Sequence, residues 1–152
     1  MKEMKLKQIG AVSREENAIK VKLDDSFKAG LTNLSKFSHV HIIWWADGHD
    51  NEKSRSHLVT DLPYAPGEKA GVFACRAEYR PNPIAITVCP ILEIDEKKGV
   101  VTIAGIDARD ETPVLDLKPY IPVCDKVNQS KTPNWFEGWP QELPETGLQL
   151  EY

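Results

Sequence analysis

Apolar and polar residues alternate along several short stretches of this chain. In Ala18–Leu23, the apolar residues Ile19, Val21 and Leu23 are separated by lysines, which is the period of a strand buried on one face. Residues 38–46 are rich in β-branched and aromatic side chains and predict a central strand. Further strands are predicted at residues 5–12, 58–62, 71–74, 84–94, 100–106 and 114–120.

Turn-forming residues interrupt these stretches. The chain holds 11 prolines and 9 glycines, which leave little room for long helices. Residues 96–99 predict a hairpin turn, and residues 26–30 predict a short helix with Asp25 as its N-cap. Short strands that follow one another without intervening helices favour a β-barrel. We therefore predict a mainly β fold, a single-domain closed or nearly closed β-barrel with short helices and an irregular C-terminal tail.

The strand-like pattern stops near residue 127. The barrel domain is accordingly predicted at residues 1–127, and the tail at residues 128–152. The tail is rich in proline, tryptophan and polar residues. We expect Trp135 and Trp139 to pack this tail on the barrel or on a second subunit.

Composition restricts the environment and the partners. A chain of 152 residues is long enough for one domain with a core. Its net charge of −4 argues against wholesale attraction to nucleic acid or membranes, although a local basic patch remains compatible with it. No apolar run approaches membrane-spanning length, and the first residues lack the apolar core of a signal peptide. The 3 cysteines are widely spaced and predict no disulfide framework. We expect a reduced, cytoplasmic protein with no membrane partner.

Two arginines precede a rigid turn in the middle of the chain. Arg76 and Arg80 lie four residues apart, and Arg80 opens the sequence Arg-Pro-Asn-Pro. Pro81 and Pro83 fix their own φ angles and hold the preceding residues extended, so Asn82 is restricted on both sides. A stiff cationic loop between two strands predicts a site for a ligand with anionic or polar parts.

A second segment, residues 105–122, concentrates polar side chains. Asp107, Asp110 and Asp116 lie close in sequence to Lys118 and Tyr120. Carboxylates at strand ends can accept hydrogen bonds from ribose hydroxyls or from a ligand ammonium group. Turn capping by Asp and a surface Asp–Lys pair explain the same residues without a ligand. The residues by themselves leave both interpretations open.

Several other residues have a structural explanation that we favour. His39 and His41 point to one face of their strand but match no familiar ligand spacing, so we predict no metal site. Cys75 is interpreted as a structural thiol, since no Cys/His pattern supports a nucleophile. One ring of Trp44 and Trp45 must point inward and the other outward, which favours core and interface packing over base stacking.

With both polar segments in view, the chain resembles the TsaA-like, or TrmO-like, β-barrel methyltransferases. That family transfers a methyl group from S-adenosylmethionine to N6 of the threonylcarbamoyl-modified adenosine next to the tRNA anticodon. The resemblance runs from about residue 6 to residue 127. The resemblance rests on the motifs Ile9-Gly10, Phe37-Ser-His39, Gly71-Val-Phe-Ala-x-Arg76, Arg80-Pro-Asn-Pro-Ile84, Gly105-Ile-Asp107 and Asp110-x-Thr-Pro-Val-Leu-Asp-Leu-Lys-Pro-Tyr120.

The resemblance implies S-adenosylmethionine as the cofactor and a set of residues that bind it. Residues 17–20, Asn-Ala-Ile-Lys, replace a Pro-Arg-Gln element that is common in the family after the first strand. The implied cofactor-binding residues are Asp47, Gly48, Arg76, Ile86, Ala104, Gly105, Ile106 and Asp107.

The resemblance also suggests roles in recognising and activating tRNA. Asn82 or Asp116 would orient the hydrogen of the adenine amino group. Arg80, Lys118 and Tyr120 are candidates for substrate contacts, the two basic residues through phosphates. The expected protein is a tRNA (adenine-N6)-methyltransferase that acts as a homodimer with a composite site. The alternative is an S-adenosylmethionine-binding module, or a small-molecule methyltransferase, without tRNA activity.

Overall fold

The computed structural model describes residues 1–149, and its strands are β1 (Gly10–Glu15), β2 (Ala18–Leu23), β3 (His39–Trp45), β4 (Val59–Asp61), β5 (Lys69–Gly71), β6 (Ile84–Asp95), β7 (Val100–Ile103) and β8 (Pro113–Pro119). Six of these strands close into an antiparallel barrel in the order β1-β2-β7-β6-β3-β8, and β8 pairs with β1 to complete the closure. β4 and β5 pair with each other in a separate two-stranded sheet. This architecture confirms the predicted closed barrel.

The helices are short and lie in the connections between strands. Among the described residues, no helix has the length and apolar character needed to cross a membrane. The α-helices are α1 (Glu52–Arg55) and α2 (Pro122–Asp125), and the 3-10 helices are Asp25–Leu31, Leu34–Lys36, Asp47–His49, Val72–Ala74 and Asn134–Phe136.

The core lies inside the barrel, and its residues follow the alternation seen in the sequence. On β3, Val40, Ile42 and Trp44 are buried, whereas the residues between them are only partly buried. β2 contributes Val21 to the same core, and its lysines remain partly or fully exposed. Burial of the apolar face of each strand is the main term that stabilises the barrel, at roughly 25 cal/mol per Å² of apolar surface.

Two predicted strands were placed incorrectly, and a third, predicted at residues 100–106, ends three residues earlier, at Ile103. The strand predicted at residues 5–12 begins at Gly10, because the backbone of β1 pairs with β2 only from that residue onward. A Cβ at Gly10 would collide with the backbone of β2, which explains the glycine at this close approach. Of residues 71–74, only Gly71 belongs to a strand, because Val72–Ala74 coil into a 3-10 helix.

The predicted first helix is present in a modified form. Residues 25–31 form a 3-10 helix whose N-cap is Asp24 and not Asp25. The Asp25 carboxylate instead lies 2.6 Å from Lys28 Nζ, within the helix. The predicted hairpin turn joins β6 to β7, with Gly99 at a φ of 70°, a conformation that glycine adopts without steric cost.

The tail packs on the loop that joins β4 to β5. The rings of Phe136 and Trp139 each lie 5.6 Å from the ring of Tyr64 in that loop. Trp135 packs on the small apolar cluster formed by Leu62, Ala65 and Ala70. Residues 150–152, which belong to the predicted tail, lie outside the described residues.

Candidate active site

A large cavity opens beside β6, between the barrel wall, the loop of residues 73–80 and the tail. Its volume is about 800 Å³, and we call it the main cavity. The tail supplies Phe136, Trp139 and Leu148 to its lining, and the β4–β5 loop supplies Tyr64. Burial raises the pKa of the Tyr64 hydroxyl above its ordinary value, so this group is a neutral hydrogen-bond donor at physiological pH.

The loop of residues 73–80 brings a cation into the main cavity. Arg76 lines the cavity and is exposed. Its guanidinium forms no ion pair and no side-chain hydrogen bond with any other residue in the range 1–149, so it can bind an anionic group. Glu78 lines the same cavity, and its carboxylate lies 3.3 Å from His49 Nε2.

A carboxylate also lines the main cavity, and a hydrogen bond from the barrel core holds it in place. Trp44 Nε1 donates a hydrogen bond of 3.0 Å to Thr87 Oγ1, and Thr87 Oγ1 donates in turn to Asp107 Oδ1. Thr87 is buried, with an exposed fraction of 1%. Asp107 is partly buried and lines the cavity. The three residues form a chain of hydrogen bonds that leads from the core to the cavity wall.

Arg14, at the end of β1, fastens the segment that carries Asp107. Its Nε donates to Ala108 O at 2.9 Å, and its Nη2 donates to Ile106 O. The backbone N–H of Arg14 also donates to Asp110 Oδ1 at 2.7 Å. Arg14 was not predicted as a site residue, because its partners lie more than 90 positions away in the sequence.

Arg80 has a structural role that was not predicted from the sequence. Its Nη2 donates to Val72 O and, at 3.2 Å, to Cys75 O. The arginine therefore holds the 3-10 turn of Val72–Ala74, together with the rigid prolines that follow it. Although Arg80 also lines the main cavity, its predicted contact with a phosphate stays a prediction.

The predicted contact Ile86 projects outward from β6 at the edge of the main cavity. Its side chain is 43% exposed, and its cross-strand partner is Ile43 on the outer face of β3. An exposed isoleucine is an apolar surface that a ligand or a second subunit can cover.

The other predicted cofactor residues are not in the lining of the main cavity. Ala104 O accepts a hydrogen bond of 3.2 Å from Gln149 Nε2, and the tail packs so closely on Gly105 that a Cβ there would collide with it. Ile106 is fully buried in the barrel core. Asp47 and Gly48 lie in an exposed 3-10 helix after β3. Of the predicted set, the structure thus brings Arg76, Ile86 and Asp107 together.

Asn82 faces a different cavity. This side cavity, of about 450 Å³, lies on the outside of the barrel between residues 4–8, β3 and β8. Asn82 is exposed, and its Oδ1 accepts a hydrogen bond of 3.3 Å from Arg55 Nη2. Ile84 lines both cavities and separates them.

Asp116, Lys118 and Tyr120 lie on the outer wall of the barrel. The Asp116 carboxylate lies 2.9 Å from Lys118 Nζ, as the surface-pair interpretation expected. Tyr120 stacks on His41 with 5.9 Å between ring centroids. Asp125 Oδ1 lies 3.1 Å from His41 Nε2, and the hydrogen bond from Ile121 N–H, together with the nearby His41, lowers the pKa of Asp125. None of the three predicted residues lines either cavity.

Cys75 and Cys89 take structural positions, as expected for Cys75. Cys75 Sγ donates to Val72 O at 3.8 Å, and Cys75 packs on the apolar cluster below the β4–β5 loop. Burial and, secondarily, the charge of Asp107 raise the pKa of Cys89 to about 12. Within residues 1–149, no three His, Cys, Asp or Glu side chains are grouped so that they could hold a metal ion.

Comparison with known families identifies the barrel. A model of the tRNA-methyltransferase O N-terminal domain matches residues 7–126. The chain belongs to this family. A crystal structure of TrmO from Pseudomonas aeruginosa has a TM-score of 0.68 and 26% sequence identity, and the match covers 88% of this chain and 62% of that chain.

Curated relatives of the TrmO barrel differ in name and in length. A probable S-adenosyl-L-methionine-binding protein of Archaeoglobus fulgidus is 35% identical over 128 residues, which cover 84% of this chain and 32% of the relative. The tRNA (adenine(37)-N6)-methyltransferase of Mus musculus is 40% identical over 93 residues, which cover 60% of this chain and 20% of the mouse protein. The chain thus spans less than two-thirds of the length of these relatives.

Proposed function

We propose that this protein is an S-adenosylmethionine-dependent methyltransferase that methylates N6 of an adenosine next to the tRNA anticodon. The observation that carries the proposal is that Arg76 and Asp107, two of the cofactor contacts implied by the resemblance, line the same cavity. One is a cation without a partner among the described residues, and the other is a carboxylate that the core holds in place. A ligand with a carboxylate at one end and hydroxyl or ammonium groups elsewhere fits this pair.

The residues of the main cavity match the chemical parts of the cofactor. Arg76 would bind the methionine carboxylate through charge-assisted hydrogen bonds. Asp107 would accept hydrogen bonds from ribose hydroxyls or from the α-ammonium group. The aromatic rings of Tyr64, Phe136 and Trp139 would pack against adenine. When bound, S-adenosylmethionine supplies an electrophilic methyl group on a sulfonium.

Transfer of that methyl group depends on positioning more than on strong acid–base catalysis. The protein must align the amino nitrogen with the methyl group and exclude water. The aromatic side chains that line the main cavity and the rigid Pro-Asn-Pro loop support these two tasks. We propose that Asn82 or Asp116 orients the amino hydrogen. Asn82 lines only the side cavity, but the N–H of Ile84, which lines both cavities, donates to Asn82 O at 2.7 Å. Because Asp116 lines neither cavity, Asn82 is the better placed of the two.

The tRNA substrate rests on the mouse relative, whose name specifies adenine 37 of tRNA. The alternative function is an S-adenosylmethionine-binding module, or a small-molecule methyltransferase, without tRNA activity. The name of the Archaeoglobus relative and the net charge of −4 favour that alternative.

We also propose a homodimer in which the second copy covers the outer face of β3 and β6. Ile43, Ile86 and Val88 are outward-facing apolar residues there. Nearby α2 contacts β3 through Asp125 and His41, and its Val123 is 91% exposed. Burial of this surface would also complete the wall of the main cavity at Ile86. We propose a cytoplasmic location, which the three free cysteines support.

Calorimetry with S-adenosylmethionine and with its demethylated product tests the cofactor assignment. We expect both ligands to bind, and the variant Arg76→Ala to bind at least tenfold more weakly, since it loses a charge-assisted hydrogen bond of about 1.5–3 kcal/mol. Arg109→Ala, at an exposed position outside the main cavity, is the matched control. If neither ligand produced heat or a thermal shift, the proposed cofactor and activity would be rejected.

A further inference from the structure

The side cavity combines a flat cationic stack with an apolar wall. The Arg55 guanidinium carbon lies 5.8 Å from the ring centroid of Trp45, and both residues line the cavity. Asp50 fixes this arrangement, because its carboxylate lies 2.8 Å from Arg55 Nη1 and accepts a bond of 3.3 Å from Trp45 Nε1. Ile84 and Leu115 supply apolar surface beside it. Rings and guanidinium planes of this kind are the groups on which unpaired RNA bases stack.

Two amide side chains complete the polar part of the side cavity. Asn82 uses its oxygen to accept from Arg55, which leaves the amino group of its amide to donate. Gln8 uses its amino group to donate to Gly10 O at 3.1 Å, which leaves its oxygen to accept. The lining of the cavity therefore includes a donor, an acceptor and a stacking surface, which is the combination that reads the edge of a nucleobase.

Lysine residues lie in the N-terminal segment that forms one side of the side cavity. Met4 and Leu6 line the cavity, and Lys5 and Lys7 alternate with them along the same segment. Lys2, Lys5 and Lys7 are exposed and form no ion pair with another described residue.

The basic residues first expected to bind RNA are engaged elsewhere. Arg80 donates to the carbonyls of the loop that it holds, and Lys118 is paired with Asp116. An acidic protein needs a local basic patch to bind RNA, and residues 2–7 supply a net positive charge, because they hold three lysines and one acidic residue, Glu3.

We propose that the side cavity binds an unstacked nucleobase of the RNA substrate, with Lys5 and Lys7 on the neighbouring phosphates. This inference rests on the proposed function, because it extends the tRNA substrate to a particular surface. Since Ile84 alone is shared by the two cavities, a strand held in the side cavity passes the mouth of the main cavity. The side cavity thereby brings the acceptor adenosine to the cofactor.

The test measures binding of a single-stranded anticodon-loop oligonucleotide by fluorescence anisotropy over a range of salt concentrations. Lys5→Ser/Lys7→Ser should weaken binding and reduce the slope of log K against log salt by roughly 0.7 for each lost phosphate contact. Lys97→Ser/Lys98→Ser, in the turn at the far end of β6, is the control and should behave as wild type.

A second pair of variants separates stacking from folding. Trp45→Leu should weaken oligonucleotide binding at least fivefold, and Trp45→Phe should recover most of the loss, because a ring restores the stack. The affinity for the demethylated cofactor product should stay within twofold of wild type in both variants. Asn82→Ala should reduce the preference for an adenine-containing loop over one in which uracil replaces adenine.

The outcomes distinguish this inference from the proposed function. If wild type methylates tRNA while the lysine and Trp45 variants bind RNA as wild type does, the side-cavity site is wrong and the function stands. If wild type transfers no methyl group but these variants still lose RNA affinity, the side-cavity site stands and the function is wrong. A wild-type protein that binds no oligonucleotide would overturn the inference.

Discussion

Thr87 donates a hydrogen bond to the Asp107 carboxylate from inside the barrel, and so connects the core to the main cavity. The Thr87 hydroxyl has one hydrogen, and the bond from Trp44 occupies a lone pair of its oxygen. That arrangement leaves the hydrogen directed to Asp107. With Oδ1 engaged, the other carboxylate oxygen of Asp107 is available to a ligand.

Replacement of Thr87 should change cofactor affinity although the residue does not line the main cavity. Thr87→Val keeps the shape but removes the hydroxyl, so Asp107 loses its orientation and Trp44 Nε1 loses its acceptor. We expect roughly tenfold weaker binding of the demethylated cofactor product, or about 1.4 kcal/mol, by calorimetry. Thr87→Ser should restore the affinity. If Thr87→Val melted at the wild-type temperature and bound the ligand equally well, the orienting role would be excluded.

The loop that carries Arg76 should depend on Arg80. In Arg80→Ala the carbonyls of Val72 and Cys75 lose a charged donor, which costs roughly 1.5–3 kcal/mol of stability. Because the loop also positions Arg76, cofactor affinity should fall together with the melting temperature. Arg80→Lys should recover part of both. Loss of tRNA binding with unchanged melting temperature and cofactor affinity would instead favour a direct phosphate contact.

The proposed homodimer predicts that a charge on α2 separates the two copies. Val123 is exposed in a single copy and would be buried at the interface. Val123→Glu should therefore convert a dimer to a monomer in light scattering, with an unchanged circular dichroism spectrum. Val127, which lies two residues after α2 and is 72% exposed, offers a second variant, Val127→Glu, that should act in the same direction. A wild-type protein that is monomeric at micromolar concentration would contradict the dimer.

Thiol alkylation should follow burial. Cys124 is exposed, whereas Cys89 is buried and has a pKa raised to about 12. Because the thiolate is the reactive form, iodoacetamide at pH 8 should modify Cys124 rapidly and Cys89 only after unfolding. Peptide mass spectrometry of native and urea-treated protein measures both rates. Rapid native modification of Cys89 would mean that the barrel core opens far more often than its packing implies.

Much of the barrel could be predicted from the sequence because it depends on local alternation. Every second residue of β3 is buried, as in a strand with one face in the core. The observed strand, His39–Trp45, is one residue shorter at each end than the predicted segment, residues 38–46. The errors arose where side chains from distant positions decide the backbone. Arg80 donates to Val72 O and to Cys75 O, at the start of the 3-10 helix Val72–Ala74 and just after its end, and no strand propensity at residues 71–74 could reveal those bonds.

The site was predicted less completely than the fold. Family motifs identified Arg76 and Asp107, and both line the main cavity. Arg14 and Thr87 were missed, since each acts through hydrogen bonds to residues far along the chain. The side cavity could not be foreseen either, because it joins residues 4–8 to parts of β3, β6 and β8 that meet only in the closed barrel.

Methyl transfer to tRNA tests the central proposal most directly. Purified protein is incubated with tRNA from cells that lack this methyltransferase activity, together with S-adenosylmethionine whose methyl group carries deuterium, and the tRNA nucleosides are analysed by mass spectrometry. We predict a deuterated N6-methyl group on the modified adenosine next to the anticodon with wild type, and its loss with Arg76→Ala. If wild type bound the cofactor but no tRNA nucleoside acquired the label, the protein would not be a tRNA methyltransferase.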